Sequence, residues 1–121
     1  MKIITKYTNL DATPAIDAYI DGKIGSLSKF IKAWEVNNEV VVRVEIARTT
    51  KHHVKGDIFY AEANVGAPGK LLRAAHKDWD IRVAIDKVKD ELQRQIKMFN
   101  ARRRPQDSRG QKVIRKKVRE K

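Results

Sequence analysis

Residues 78–99, DWDIRVAIDKVKDELQRQIKMF, carry apolar side chains at Ile81, Ile85, Val88, Leu92, Ile96 and Phe99, spaced 4, 3, 4, 4 and 3 apart. That spacing predicts one long helix with a single buried stripe. Asp78 or Asp80 suits the N-cap, where a carboxylate meets unpaired N–H groups and the positive end of the helix dipole. Lys87, Arg94 and Lys97 fall away from the stripe, and Arg102, Arg103 and Arg104 follow it. One face of this helix is made to be buried and the other to meet an anion. The rest of the chain must supply what the buried face packs on.

Upstream, Lys2 to Tyr7 reads as a strand of β-formers that Asn9, Asp11 and Pro14 end. Thr13-Pro14 then opens a helix, with the hydroxyl as N-cap and proline at the first helical position. Apolar residues from Ile16 to Trp34 keep helical spacing to about residue 33, although Gly22 and Gly25 are weak helix formers. Glu39 to Arg48 alternates as a half-buried strand should, with Val40, Val42, Val44 and Ile46 on one face. A polar, basic connection over residues 49–56 leads, as a hairpin, to a strand near Asp57 to Val65. Gly66-Ala67-Pro68-Gly69 is a turn by composition, and Lys70 to Ala75 a short fourth strand. The expected class is α+β in the order β-α-β-β-β-α. Four strands form one sheet, the hairpin-joined ones antiparallel, and two amphipathic helices cover one face. Apart from the added first strand, the order is that of a double-stranded-RNA-binding domain.

A chain of 121 residues suits one folded domain, here residues 1–100. Past Asn100 the apolar periodicity stops, and residues 101–121 are expected to be disordered until bound. The formal net charge is +12, and its distribution matters more than its total. The tail holds ten Lys or Arg against Asp107 and Glu120, which is +8, while residues 1–100 hold seventeen against thirteen, which is +4. Such an imbalance points to a polyanion, because each phosphate contact releases condensed counterions. A membrane partner is disfavoured, since the tail lacks an amphipathic stripe with aromatic anchors. No apolar run reaches 18 residues, and no signal-peptide pattern opens the chain. The absence of cysteine removes disulfide and thiolate chemistry and fits a reducing cytoplasm.

No catalytic or metal-binding constellation stands out, and neither a cofactor nor a small-molecule substrate is implied. His52 and His53 are adjacent, so on an extended chain they point to opposite sides and make a poor chelating pair. Asp86 and Asp90 lie one helical turn apart, but an ion pair from Asp90 to Arg94 at i,i+4 accounts for Asp90 without catalysis. Gly66-x-x-Gly69 matches the KH clamp in letters only, since that clamp joins two helices and this turn joins two strands. Ser108-Arg109-Gly110-Gln111 is similar to the GGQ loop of release-factor-like peptidyl-tRNA hydrolases, with Arg109 in place of the first glycine. The chain also lacks an RNP aromatic motif, zinc-finger spacing and a heptad zipper, which favours recognition of RNA shape and phosphate.

Across residues 2–100 the chain resembles the ribosome hibernation-promoting factors and ribosome-associated translation inhibitors. The resemblance rests on Thr13-Pro14-Ala15-Ile16, Leu27-x-Lys29-Phe30, Ala61-Glu62-Ala63, and Pro68-Gly69 before Leu71-Leu72-Arg73-Ala74. Asp80-x-x-x-Ala84-Ile85-Asp86 leading to Leu92-x-Arg94-Gln95-Ile96 completes it. It implies a βαβββα domain that binds the small ribosomal subunit between head and body. There it occupies the path of mRNA and tRNA anticodons and stops translation by occlusion. Lys23, Lys29 and Arg94 match basic positions of the family pattern, and Lys97 lies within one residue of another. Glu91 stands where a lysine is common and Arg82 where a tyrosine is common, with Lys87 and Lys89 as compensation. Longer members add a C-terminal domain that pairs ribosomes; this chain resembles a short form without a self-dimerisation domain.

The sequence therefore leads to a cytoplasmic, non-catalytic factor whose partner is the rRNA of the small ribosomal subunit. Lys23, Lys29, Lys87, Arg94, Lys97, Arg102, Arg103 and Arg104 are the expected phosphate contacts. A general RNA-binding chaperone and a peptidyl-tRNA hydrolase-like rescue factor are the alternatives.

Overall fold

The computed structural model describes the backbone of residues 1–36, 38–50 and 57–119. Side chains are described through Arg102, except those of Thr50 and Asp57. The elements are β1 (Lys2–Thr8), α1 (Pro14–Gly25), β2 (Val41–Thr50), β3 (Asp57–Ala67), β4 (Lys70–Asp78) and α2 (Ile81–Arg119). Two 3-10 segments, Ser26–Phe30 and Lys32–Glu35, lie between α1 and β2. The expected β-α-β-β-β-α order is the observed one.

The four strands form one sheet in the spatial order β1-β2-β3-β4. β2, β3 and β4 are antiparallel neighbours, as the hairpin pattern suggests, but β1 pairs with β2 in parallel. A parallel pair needs a crossover, which α1 and the 3-10 segments supply. The sheet is therefore mixed. The register aligns apolar residues across the strands: Val42 faces Val65, which faces Leu72, and Val44 faces Ala63, which faces Ala74. Both helices pack on this face, α2 across β3 and β4, and α1 beside α2 and β1. β3 and β4 meet at Pro68-Gly69, where Ala67 pairs with Lys70. Gly69 takes φ +78°, a left-handed value that glycine adopts without a Cβ penalty.

The predicted stripe of α2 is the core. Ile85, Val88, Leu92 and Ile96 are buried with Ala84, while Ile81 and Phe99 close its two ends half-buried. Against them lie Ile20, Ile24, Leu27 and Ile31 from the first helical region and the inner faces of β2 and β3. Asp80 caps α2, its Oδ1 accepting from the Arg82 N–H at 2.8 Å and its carbonyl from the Ala84 N–H. Asp78 accepts from the Asp80 N–H just before the helix, so Asp80 is the N-cap of the two candidates and Asp78 braces its backbone. Thr13 caps α1 as expected, its hydroxyl accepting from the Ile16 N–H at 3.2 Å.

Strands β2, β3 and β4 run on to Thr50, Ala67 and Asp78, past the predicted ends at Arg48, Val65 and Ala75, and both helices also end elsewhere than the sequence reading has them. α1 ends at Gly25 instead of running to about residue 33, and the chain tightens into the two 3-10 segments. Gly22, Gly25, Ser26 and Ser28 all lie in this stretch, and glycine and serine hold an α-helix weakly. The tighter turns still bury Leu27 and Ile31, which is what the apolar spacing required. α2 continues past Asn100 to Arg119 instead of stopping at Phe99. Arginine, lysine and glutamine dominate the continuation, and all are good helix formers without an apolar stripe. Pro105 lies within it and removes one backbone donor. Of the connection predicted at residues 49–56, Thr49 and Thr50 belong to β2, and residues 51–56, with His52 and His53, lie outside the described residues.

Candidate nucleic-acid interface

The position of α2 over β3 and β4, with α1 on its other side, gives this helix two flanks. The predicted cations divide between them. Facing α1 are Lys97 on α2 and, from the first helical region, Lys23 and Lys29. Lys29 Nζ lies 5.3 Å and Lys97 Nζ 5.2 Å from the centre of the Phe30 ring. The two ammonium groups come from separate elements and converge on one aromatic side chain. Asn100 fixes this corner. Its Nδ2 donates to the Phe30 carbonyl at 2.8 Å and its Oδ1 accepts from Trp34 Nε1 at 2.9 Å. Trp34 meets Phe99 edge-to-face, with ring centres 5.4 Å apart.

Lys23 sits at the other end of the same flank. Its Nζ is 3.5 Å from Asp86 Oδ1 and 5.7 Å from the Tyr19 ring centre, so it rests at the edge of the apolar stripe. Tyr19 donates to Asp86 at 2.6 Å, and this bond holds the phenol proton above its ordinary pKa. The Arg82 guanidinium carbon lies 5.4 Å from the centre of the same Tyr19 ring. Asp86 is thus occupied by a tyrosine and a lysine across the helix junction, away from any pairing with Asp90.

The β4-facing flank carries Lys87, Arg94 and Arg102. Arg94 pairs with Glu91, not with Asp90 as the i,i+4 spacing suggested: Nε reaches Glu91 Oε1 at 3.0 Å and Nη2 reaches Oε2 at 2.6 Å. Asp90 lines the same flank but its Oδ1 lies beside Lys89 Nζ at 3.8 Å, and the i,i+3 carboxylate of Glu91 takes the guanidinium instead. Arg94 holds the Glu91 carboxyl far below the usual range, at about 2, with help from Gln95. Gln95 Nε2 donates both to Glu91 Oε2 and to the Arg73 carbonyl, each at 2.9 Å, and so ties α2 to the edge of β4.

This flank and β4 enclose a groove. One part is lined by Lys87, Asp90, Glu91, Arg94, Gln95 and His76, and the next by Lys70, Leu71, Arg94, Met98 and Arg102. Met98 is exposed there, at 41%, whereas the Leu71 side chain, at 64%, alternates with buried Leu72 onto the opposite face of the sheet. Lys70 was not among the sequence-predicted contacts, and neither was Arg73, which pairs with Glu62 at 3.0 Å on the far face of the sheet. No periodicity marks them, since only the strand order shows that β4 borders α2. Arg103 and Arg104 lie in α2, with their side chains outside the described residues, as are those of Ser108 to Gln111. Among the described residues no three His, Asp or Glu side chains gather as a metal site, and no helix is long and apolar enough to cross a membrane.

A family model described as "Sigma 54 modulation protein / S30EA ribosomal protein" matches residues 3–104. A protein of Lactococcus lactis subsp. cremoris named ribosome hibernation promotion factor is 31% identical over 102 residues, covering 83% of this chain and 51% of the relative. One of the same name from Picosynechococcus sp. is 27% identical over 100 residues, covering 82% and 49%. The chain thus spans about half the length of these curated relatives. Among solved structures, the N-terminal domain of Protein Y from Thermus thermophilus superposes with TM-score 0.66 at 29% identity, covering 82% of this chain and 99% of that one. A ribosomal subunit interface protein from Coxiella burnetii shares the fold with TM-score 0.61 at 19% identity, covering 84% and 99%. Sequence, element order and sheet agree over the same residues, and the chain belongs to the Sigma 54 modulation protein / S30EA ribosomal protein family.

Proposed function

We propose that this protein is a cytoplasmic ribosome hibernation factor that binds the small ribosomal subunit in the mRNA and tRNA channel and inhibits translation by occupying it. The observation that carries the reading is the convergence of Lys29 and Lys97 on Phe30, beside a second row of cations at Lys87, Arg94 and Arg102. Two rows on adjacent flanks of one rigid helix suit folded RNA, which offers phosphates on more than one strand. Family membership and the names of the relatives support the same partner. The mechanism needs no catalytic group: binding energy from phosphate contacts holds a folded body where mRNA and tRNA would lie.

Residues 101–121 extend this surface in the proposal. Past Arg102 the sequence offers no apolar stripe to pack, and an unsupported helix of this length is marginal in water. RNA phosphates are proposed to neutralise its arginines and lysines and so to stabilise this helical extension on binding.

Co-sedimentation with separated ribosomal subunits at two salt concentrations tests the reading. Small-subunit binding that weakens steeply as salt rises is the expected result. Arg94→Glu with Lys97→Glu should abolish it at moderate salt, and unchanged binding would reject the site. Equal competition by free duplex RNA would favour a general RNA chaperone. Removal of residues 103–121 should lower affinity, and no loss would reject the role of the tail.

A further inference from the structure

The groove between β4 and α2 has a character that the α1-facing flank lacks. Its helix wall carries Lys87, Arg94 and Arg102, which at 1.5 Å per residue stand about 10 and 12 Å apart along the axis. Lys70 faces them from the start of β4. Among the described residues Lys70, Lys87 and Arg102 have no ion-pair partner, and Arg94 keeps donors beyond those that Glu91 takes. Asp90 and Glu91 are the carboxylates of this wall, and Glu91 is already engaged by Arg94.

The opposite wall is the free edge of the sheet, since β4 is a terminal strand. Gln95 reaches the Arg73 carbonyl from α2, so Arg73 turns its main-chain groups away from β3. In an antiparallel pair both groups of a residue point the same way, and the direction alternates along the strand. Leu71 and Ala75 therefore direct their N–H and C=O outward as well. An edge of this kind offers N–H donors to phosphate oxygens and carbonyl acceptors to ribose hydroxyls. Met98 supplies exposed apolar surface between the cations of α2, where a base or sugar face can rest.

We propose that this groove binds single-stranded RNA, with phosphates between the α2 cations and the β4 N–H groups and ribose 2′-hydroxyls on the outward carbonyls. The inference rests on the RNA reading above and deepens it, naming single-stranded RNA as the ligand of the β4-facing row of cations. A single strand fits because it exposes sugar and base faces that a duplex conceals.

Fluorescence anisotropy with a labelled eight-nucleotide oligouridylate tests it on the full chain, beside oligodeoxyuridylate and an RNA duplex of the same length. The single-stranded RNA should bind at least threefold more tightly than either. Lys70→Glu and Lys87→Glu should each weaken it five- to tenfold, while Lys32→Glu, a matched charge change elsewhere, costs less than twofold. Met98→Ala should weaken the single strand and leave the duplex unaffected. Urea unfolding midpoints of each variant show whether the fold is retained. Equal losses from Lys32→Glu and Lys70→Glu would overturn the proposal, as would equal binding of RNA and DNA. Displacement of the RNA by an acidic peptide at equal charge concentration would assign the edge to a protein strand and also overturn it. Subunit binding without oligonucleotide binding removes the groove and leaves the hibernation reading standing. Oligonucleotide binding without subunit binding does the reverse.

Discussion

Glu91 grips Arg94 through two hydrogen bonds, at 3.0 and 2.6 Å, on the flank of α2 that faces β4. The carboxylate therefore competes with any phosphate for that guanidinium. Glu91→Gln should raise affinity for the small subunit about three- to tenfold at low salt, within the range charged contacts contribute. In an Arg94→Ala background the same change should add less than twofold. Binding isotherms for the four variants of this double-mutant cycle check the coupling. A loss of affinity in Glu91→Gln would show instead that the carboxylate positions Arg94.

Acid stability follows from the same pair and from Glu62. Glu62 accepts from Tyr60 at 2.5 Å, Asn64 at 2.8 Å and Arg73 at 3.0 Å, and these bonds, the Tyr60 hydroxyl first, hold its carboxyl below the ordinary value. A carboxylate with a depressed native pKa contributes stability above its unfolded pKa and loses that contribution as pH falls through the native one. For Glu91 the window runs from about 4.5 down to about 2. Unfolding midpoints in urea should therefore fall between pH 5 and pH 2, as a linkage effect. Glu62→Gln and Glu91→Gln should each flatten that fall.

Asn100 joins the Phe30 carbonyl and the Trp34 indole to α2 through two part-buried hydrogen bonds. Asn100→Ala leaves both partners short, and the expected cost is about 1–3 kcal/mol in chemical denaturation. Trp34 should report the change, because its indole loses a partner: its fluorescence should shift before global unfolding.

Gly22 lies inside α1 with open space where a Cβ would stand. Gly22→Ala should stabilise the protein by about 0.5–1 kcal/mol, through helix propensity and a less flexible unfolded chain. Differential scanning calorimetry checks the sign, and a lower melting temperature would contradict it.

The sequence by itself determined the stripe of α2, the caps at Thr13 and Asp80, and the β-α-β-β-β-α order. Each of these is a local relation, in which residues a few positions apart must share a helix face or alternate across a strand. Ile85, Val88, Leu92 and Ile96 are buried because their spacing leaves them no other common surface. The tertiary structure decided the rest. The parallel pairing of β1 with β2, the placement of β4 beside α2, and the meeting of Lys29 with Lys97 over Phe30 each join residues far apart in the chain. No local pattern encodes such contacts, because they follow from how the sheet and helices pack once their apolar faces are buried. The surface of α2 shows the division most clearly. Its spacing fixes which cations face outward, but only its neighbours divide them into a flank against α1 and a groove against β4.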